Sequence, residues 1–275
     1  MSYICYTFRE LKDVKMDFTF YKYHGAGNDF ILVDNRKKII GEEGRLELVK
    51  DICERRFGIG SDGFILIEND DEHSFYMEFY NPDGSQSFCG NGSRCAVMFA
   101  YHLGIVYQAG SFRSIHGINH FERMDETIIK LNMFPVESIE KINNDFFLDT
   151  GSPHYVSYCR DVDNMDVVGD AKKIRYNERF SEHGTNVNFI ESNSTGIAIR
   201  TYERGVEGET FACGTGITAA AMVHAYSNDL SENEVAVSAR GGDLKVSFER
   251  ENDQFTNVQL SGPALFVFKG EWDGE

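Results

Sequence analysis

Residues 89–102 read CGNGSRCAVMFAYH, and residues 213–226 read CGTGITAAAMVHAY. Aligned on Cys89 and Cys213, both glycines of each Cys-Gly-x-Gly motif coincide. So do Ala96 with Ala220 and Met98 with Met222. Upstream, Gly84 and Gly208 precede their cysteines by the same spacing. Two copies of one element imply two homologous halves that meet at one site. Each copy is a glycine-rich turn that opens an apolar helix. Such a turn exposes backbone N–H groups, and the helix adds the positive end of its dipole. This arrangement binds carboxylate or phosphate. It also favours a thiolate, so a cysteine there can titrate at about 3.5–7.5 rather than about 8.5. One motif alone fits a small buried helix-start residue equally well; the matched pair favours chemistry.

Composition narrows the class. The chain has 275 residues, 41% of them hydrophobic, enough for one or two domains with a sizeable core. No apolar run approaches a membrane span, and the start does not resemble a signal peptide. A net charge of −17 argues against nucleic acid or an acidic membrane as partner. Six irregularly spaced cysteines without C-x-x-C argue for a reducing, cytoplasmic setting.

Residues 1–16 lack a clear period and read as an N-terminal extension. Strand character begins at FTFYKYH, from Phe18, and passes through the glycine cluster HGAGNDF into FILVDN. Asn28 in that cluster is either a turn residue or a ligand-facing amide. EEGRLELVKDICERRFG predicts an amphipathic helix with Leu46, Val49, Ile52 and Cys53 on its buried stripe. GIGSDGFILIE and SFYMEFYN predict strands, and the loop NPDGSQSF, where Asn81 and Asp83 can form an Asx-turn, delivers Cys89. IIKLNM marks the crossing between halves. SPHYVSYC carries His154, GTNVNFIE opens on Asn186, and GIAIRTYERG ends at Glu203-Arg204. EVAVSARGGDLKVSFE predicts a hairpin turning at Gly241-Gly242. Many strands with two apolar central helices fit neither a βαβ alternation nor an all-strand fold.

Several chemistries can be weighed against two matched cysteines. The closely spaced ligands of a metal site are absent. A Cys–His nucleophile using His154 leaves the second cysteine unexplained. A dithiol redox couple usually uses C-x-x-C. Pyridoxal enzymes need a Schiff-base lysine, and no lysine stands in a motif-like setting. Two-base proton transfer uses both halves: one thiolate removes a proton from a carbon acid, and the opposite thiol protonates the other face. The adjacent carboxylate would then sit between the helix starts, where backbone donors stabilise the growing charge. The two sulfurs titrate as a coupled pair.

The motifs HGAGNDF, RRFGIGSDG, NPDGS, CGNGSRC, GSPHYV, GTNVNF, YERGVEGET and ACGTG occur in one order from about residue 18 onward. In this combination the chain resembles the diaminopimelate epimerases, cofactor-independent amino-acid epimerases. The resemblance implies an α/β fold of the α+β type. It has two pseudo-symmetric halves, each a mixed sheet wrapped barrel-like around a central helix. The halves would be residues 17–131, completed by about 264–275, and residues 132–263. It implies interconversion of L,L- and meso-diaminopimelate, a small diamino diacid, on the route to lysine and peptidoglycan. It implies no metal and no cofactor, and a homodimer. By the same resemblance Cys89 and Cys213 are the acid/base pair. Gly90-Asn91 and Gly214-Thr215 contact the reacting carboxylate. Asn28, Asn81, Asn186, Glu203 and Arg204 hold the substrate's amino and carboxylate groups, and His154 with Glu203 tunes the thiols. Arg204 can grip the distal carboxylate bidentately.

Four departures from the family pattern stand out. Ser152 replaces an Asn, Gly63 replaces a Gln, the loop from Asn81 to Cys89 is one residue shorter, and YERGVEGET is one residue longer. Two other readings are a racemase of proline or hydroxyproline and a non-catalytic small-anion binder on the same fold. A proline-like substrate has no distal carboxylate, so Arg204 and Asn81 argue against the first. The intact cysteines argue against the second.

Overall fold

The computed structural model describes residues 17–230 and 233–274, so the N-terminal extension expected over residues 1–16 lies outside the described residues. Two sets of seven strands repeat one pattern. In the first set the strands are Phe18–Gly25, Asn28–Asp34, Gly63–Glu68, Tyr76–Tyr80, Ala109–Ser114, Gly117–Arg123 and Ile128–Asn132. Successive strands pair antiparallel, parallel, antiparallel, parallel, antiparallel and antiparallel. In the second set they are Asp145–Asp149, Pro153–Tyr158, Asn186–Ser192, Gly196–Glu203, Glu234–Ala239, Gly242–Glu251 and Gln254–Pro263. The same succession of pairings recurs there. The last strands of the two sets pair with each other, Leu131 opposite Leu260, and join them into one sheet. Leu265–Trp272 returns to pair with Phe18–Gly25 at the far edge of the first set.

Parallel neighbours require a crossover, and helices fill all four of them. Helix α1 (Arg45–Cys53) and helix α3 (Val167–Arg175) occupy the first crossover of each set. Helix α2 (Gly90–His102) and helix α4 (Gly214–Ser227) occupy the second. These two helices become the centres of their sets. α2 packs against six strands around the first core, and α4 against seven around the second. Ile217, Ala219, Ala220, Ala221, Met222 and Val223 are all fully buried, so α4 is apolar all round because sheet surrounds it. The small alanines let the strands approach. This is the α/β architecture of two similar helix-centred halves that the repeat implied.

Two local readings change. Leu46 is 47% exposed, and Leu48 takes its place on the buried stripe of α1. The hairpin turns one residue earlier than expected, at Arg240-Gly241, because Ala239 pairs with Gly242. A Cβ on Gly241 would lie 1.8 Å from the Ala26 carbonyl oxygen, so only glycine allows this hairpin tip to meet the turn at Ala26. Among the described residues no helix is long and apolar enough to cross a membrane.

Candidate active site

Cys89 and Cys213 hold equivalent places. Each has extended backbone, φ −133° and −109°, and each is the N-cap of its helix. The Cys89 carbonyl accepts the Ser93 N–H at 2.8 Å, and the Cys213 carbonyl accepts the Ile217 N–H at 2.8 Å. The Cys89 thiol caps its own helix by accepting the Gly92 N–H at 3.4 Å. The helix starts abut: a Cβ on Gly214 would lie 3.9 Å from the Gly90 Cα. The Asn91 amide crosses between them and donates to the Ala212 carbonyl, next to Cys213, at 2.8 Å. Cys89 is half-buried and Cys213 is buried. Two open surface hollows are lined by other residues, one by Arg45, Glu78 and Tyr80, the other by Phe134, Asp149 and Gly151.

Two hydrogen-bond networks orient the pair. On the first side, the Asn28 Oδ1 accepts from Asn91 Nδ2 at 3.2 Å and from the Cys89 thiol at 3.7 Å. Asn28 Nδ2 donates to Asp62 at 2.8 Å. On the second side, His154 is fully buried. Asn188 Nδ2 donates to the Tyr155 carbonyl, which can only accept, so the same amide nitrogen also faces His154 Nδ1 at 3.1 Å. His154 therefore carries its proton on Nε2 and donates to Thr215 Oγ1 at 2.9 Å. The Thr215 hydroxyl is left free to donate to the Cys213 sulfur, 3.5 Å away. A Cβ on Gly216 would lie 2.5 Å from Asn188 Oδ1, so the second glycine of the motif makes room for this network.

The electrostatics correct the expectation of low thiol pKa values. Burial pushes Cys89 up to about 11, and the Glu203 carboxyl adds to the rise, against the N–H groups of Gly92 and Asn91 and the charge of Arg94. Burial pushes Cys213 higher still, and the Glu203 carboxyl beside it adds to the rise. Desolvation of a sulfur outweighs the partial charges of a helix start when water is excluded. Burial also raises Glu203, while hydrogen bonds from Thr210 and the Cys213 thiol oppose the rise. His154 falls to about 3, chiefly by burial and then by the nearby Arg204 charge, so it is a neutral donor.

That shift makes stability depend on pH. The folded value lies below the unfolded value of about 6.5, so the unfolded chain binds the extra proton between the two. The contribution is complete above pH 6.5 and is lost as pH falls toward 3, by up to about 1.4 kcal/mol per pH unit. Urea midpoints measured from pH 7 to 4 should fall for the native protein. They should fall less for His154→Gln.

The expected residues divide into groups. Cys89, Gly90, Asn91, Cys213, Gly214, Thr215, His154 and Glu203 converge, and Asn28 joins them. Asn186 and Arg204 lie together on the flank: Asn186 Oδ1 accepts the Arg204 N–H at 2.9 Å, and its Nδ2 donates to Ser152 and the Pro153 carbonyl. Arg204 is exposed, with one side-chain bond to the His183 carbonyl and no carboxylate partner among the described residues. The Asn81 amide is engaged within its own loop, donating to Ser85 and Ser87. The Asx-turn of this loop is made by Asp83, whose Oδ1 accepts the Ser85 N–H at 2.8 Å. The sequence reading assigned no part to Asp62, Arg94, Asn188 or Thr210. All four stand inside the quoted motifs, Asp62 in RRFGIGSDG, Arg94 in CGNGSRC, Asn188 in GTNVNF and Thr210 in YERGVEGET, but the hydrogen-bond partners of Asp62 and Asn188 lie on other segments.

Two of the departures have structural accounts. A Cβ on Gly63 would lie 2.5 Å from the Phe79 ring, so Phe79 fills the space where a longer side chain would stand. Gly63→Gln should therefore destabilise the protein by about 1–3 kcal/mol through overpacking, read as a lower melting temperature. The longer YERGVEGET loop is anchored by Glu207. Burial opposes ionisation there, yet the Tyr176 and Tyr202 hydroxyls, the Gly205 N–H and Arg175 hold its carboxyl at about 2.

Two helix-centred halves thus bring a cysteine to each of two abutting helix starts. A solved structure described as a probable proline racemase from Agrobacterium radiobacter shares the fold, with a TM-score of 0.67 at 13% identity over 94% of this chain and 93% of that one. A Bacillus anthracis protein of the phenazine biosynthesis PhzF family gives a TM-score of 0.69 at 13% identity, over 93% and 99%. The family model described as Diaminopimelate epimerase matches residues 20–129 and 146–267. The diaminopimelate epimerase of Flavobacterium psychrophilum is 46% identical over 251 residues, covering 90% of this chain and 98% of that protein. That of Chlorobaculum tepidum is 39% identical over 256 residues, covering 90% and 98%. The chain belongs to the diaminopimelate epimerase family.

Proposed function

We propose that this protein interconverts L,L- and meso-diaminopimelate without a cofactor, by proton transfer between Cys89 and Cys213 across the α-carbon. The observation that carries the reading is the abutment of two Cys-capped helix starts, tied by Asn91 to the Ala212 carbonyl. One sulfur must be charged while the other is protonated. The thiolate takes the α-proton, the opposite thiol gives its proton to the other face, and the charges exchange. The reacting carboxylate lies at the first-turn N–H groups of Gly90-Asn91 and Gly214-Thr215, where developing negative charge is stabilised. Glu203, beside Cys213, takes up or returns the proton that sets the pair's charge. Arg204, exposed and without an ionic partner, takes the distal carboxylate. Asn28 orients Cys89, Asn186 positions the Arg204 backbone, and Asn81 shapes the loop that leads to Cys89.

The reaction supplies meso-diaminopimelate for lysine and peptidoglycan synthesis in the cytoplasm. A reducing setting is supported by five described cysteines that are all free. A homodimer is supported by the strand Leu265–Trp272, which pairs on one side only among the described residues and exposes Phe266, Val267 and Phe268. The function is tested in deuterated buffer with L,L-diaminopimelate, by following α-proton loss and meso product with NMR. Deuterium incorporation with inversion is expected, and none with proline. No exchange on the diamino diacid, or inversion of proline, would overturn the reading.

A further inference from the structure

Arg94 is fully buried, yet it has no carboxylate within ion-pair distance among the described residues. Its Nε donates to the Pro263 carbonyl at 3.4 Å and its Nη2 to Asn91 Oδ1 at 2.6 Å. Its Nη1 has no hydrogen-bond partner among the described residues. Burial lowers its pKa only to about 10, so it stays charged at neutral pH. A buried cation without an anion costs several kcal/mol, which a purely structural role does not require. The matching position in the second half is Thr218, a neutral residue that bonds its own helix at the Gly214 carbonyl. The two halves are therefore electrically unlike. The Glu203 carboxyl acts on both sulfurs, whereas the Arg94 cation acts on Cys89.

Building on the two-thiol reading of the site, we propose that Arg94 is a positioning residue and the site's internal counter-ion. Its hydrogen bond aims the Asn91 amide at Asn28 and Ala212, and its charge makes Cys89 rather than Cys213 the sulfur that ionises when the pair gives up a proton. The aim follows from valence. Arg94 can only donate, so Asn91 must turn Oδ1 toward it and Nδ2 toward Asn28 and the Ala212 carbonyl. The charge acts over the same short path. The groups facing Cys89 are Arg94, the N–H groups of Gly92 and Asn91, the Asn28 amide, the Cys213 thiol, and Glu203 from its strand. Asp62 stands behind Asn28, and Cys95 lies beside Arg94. Arg94 is the cation in this set. Its positive charge is matched only when the site holds an anion, either the Cys89 thiolate or the substrate carboxylate. Of the two thiols, Cys89 is thus the one that ionises first, and Cys213 the one that keeps its proton.

The test uses substrate-free protein and iodoacetamide. Alkylation of Cys89 and of Cys213 is followed separately by peptide mass spectrometry across pH, in native protein, Arg94→Gln and Arg94→Lys. Gln can still donate to Asn91 but is neutral; Lys keeps the charge. In Arg94→Gln the pH midpoint of Cys89 alkylation should rise by about one unit or more, a tenfold or greater loss of rate at a fixed lower pH, with that of Cys213 unmoved. In Arg94→Lys the Cys89 midpoint should stay near the native value. An unmoved Cys89 in Arg94→Gln would overturn the proposal, as would equal shifts at both cysteines. If Arg94→Gln does not fold, a rise of about one unit at Cys89 in folded Arg94→Lys would overturn it, and retention of the native midpoint would support it. No substrate enters the measurement, so its failure is distinct from failure of the assigned reaction.

Discussion

Cys89→Ala and Cys213→Ala should each lower epimerisation by at least about 10³-fold, near the upper range for loss of one acid/base group. The two losses should not add, because either sulfur without the other cannot invert the centre. The sharper result concerns exchange. A lone thiolate can still remove an α-proton from the face it occupies and return a solvent deuteron to that same face. Each variant should therefore wash out the α-proton of one stereoisomer with retention and leave the other untouched. The two variants should show opposite preferences. The measurement is NMR in deuterated buffer with L,L- and meso-diaminopimelate offered separately. Substantial inversion by either variant would exclude a two-base pair, because inversion needs a donor on the face opposite the base. Both variants should keep the fold: neither sulfur holds a long-range backbone group, and the Gly92 N–H that Cys89 accepts lies at a helix start.

Arg204→Ala should raise KM for diaminopimelate by about 10–100-fold and leave kcat nearly unchanged. A hydrogen-bonded ion pair to a carboxylate is worth about 1.5–3 kcal/mol, and each 1.4 kcal/mol is a factor of ten. The distal carboxylate is remote from the reacting carbon, so the lost energy is uniform between ground and transition states. The backbone N–H of residue 204 keeps its bond to Asn186, so the strand end should stay in place. The side chain gives up one bond, to the His183 carbonyl. Arg204→Lys should recover part of the affinity, since it restores charge without the planar fork. Steady-state kinetics with both stereoisomers checks this; an unchanged KM would remove Arg204 from the substrate.

Much of the architecture was legible in the order of residues. The paired Cys-Gly-x-Gly motifs located both central helices, because capping and helix starts are local events, although the glycine-rich stretch expected as a turn forms the first helical turn itself, from Gly90 and from Gly214. The strand at FTFYKYH and the hairpin at EVAVSARGGDLKVSFE were legible from alternation. Leu46 misled because a helical stripe has two edges, and only the neighbouring strands decide which edge is covered. Asn81 and Asn186 were recognisable as site-like amides, but their partners lie in loops whose shape no local pattern encodes.

By itself the sequence determined the repeat, the helix starts, the identity of the two thiols and the family. These rest on covalent spacing and on short-range preferences. Tertiary structure alone decided which thiol lies nearer a cation, which His154 nitrogen carries the proton, and that burial lifts both thiols rather than lowering them. It also decided that Phe79 fills the space at Gly63. Each of these depends on desolvation or on a contact between segments far apart in the chain. Their energies exist only once packing has excluded water and brought those segments together.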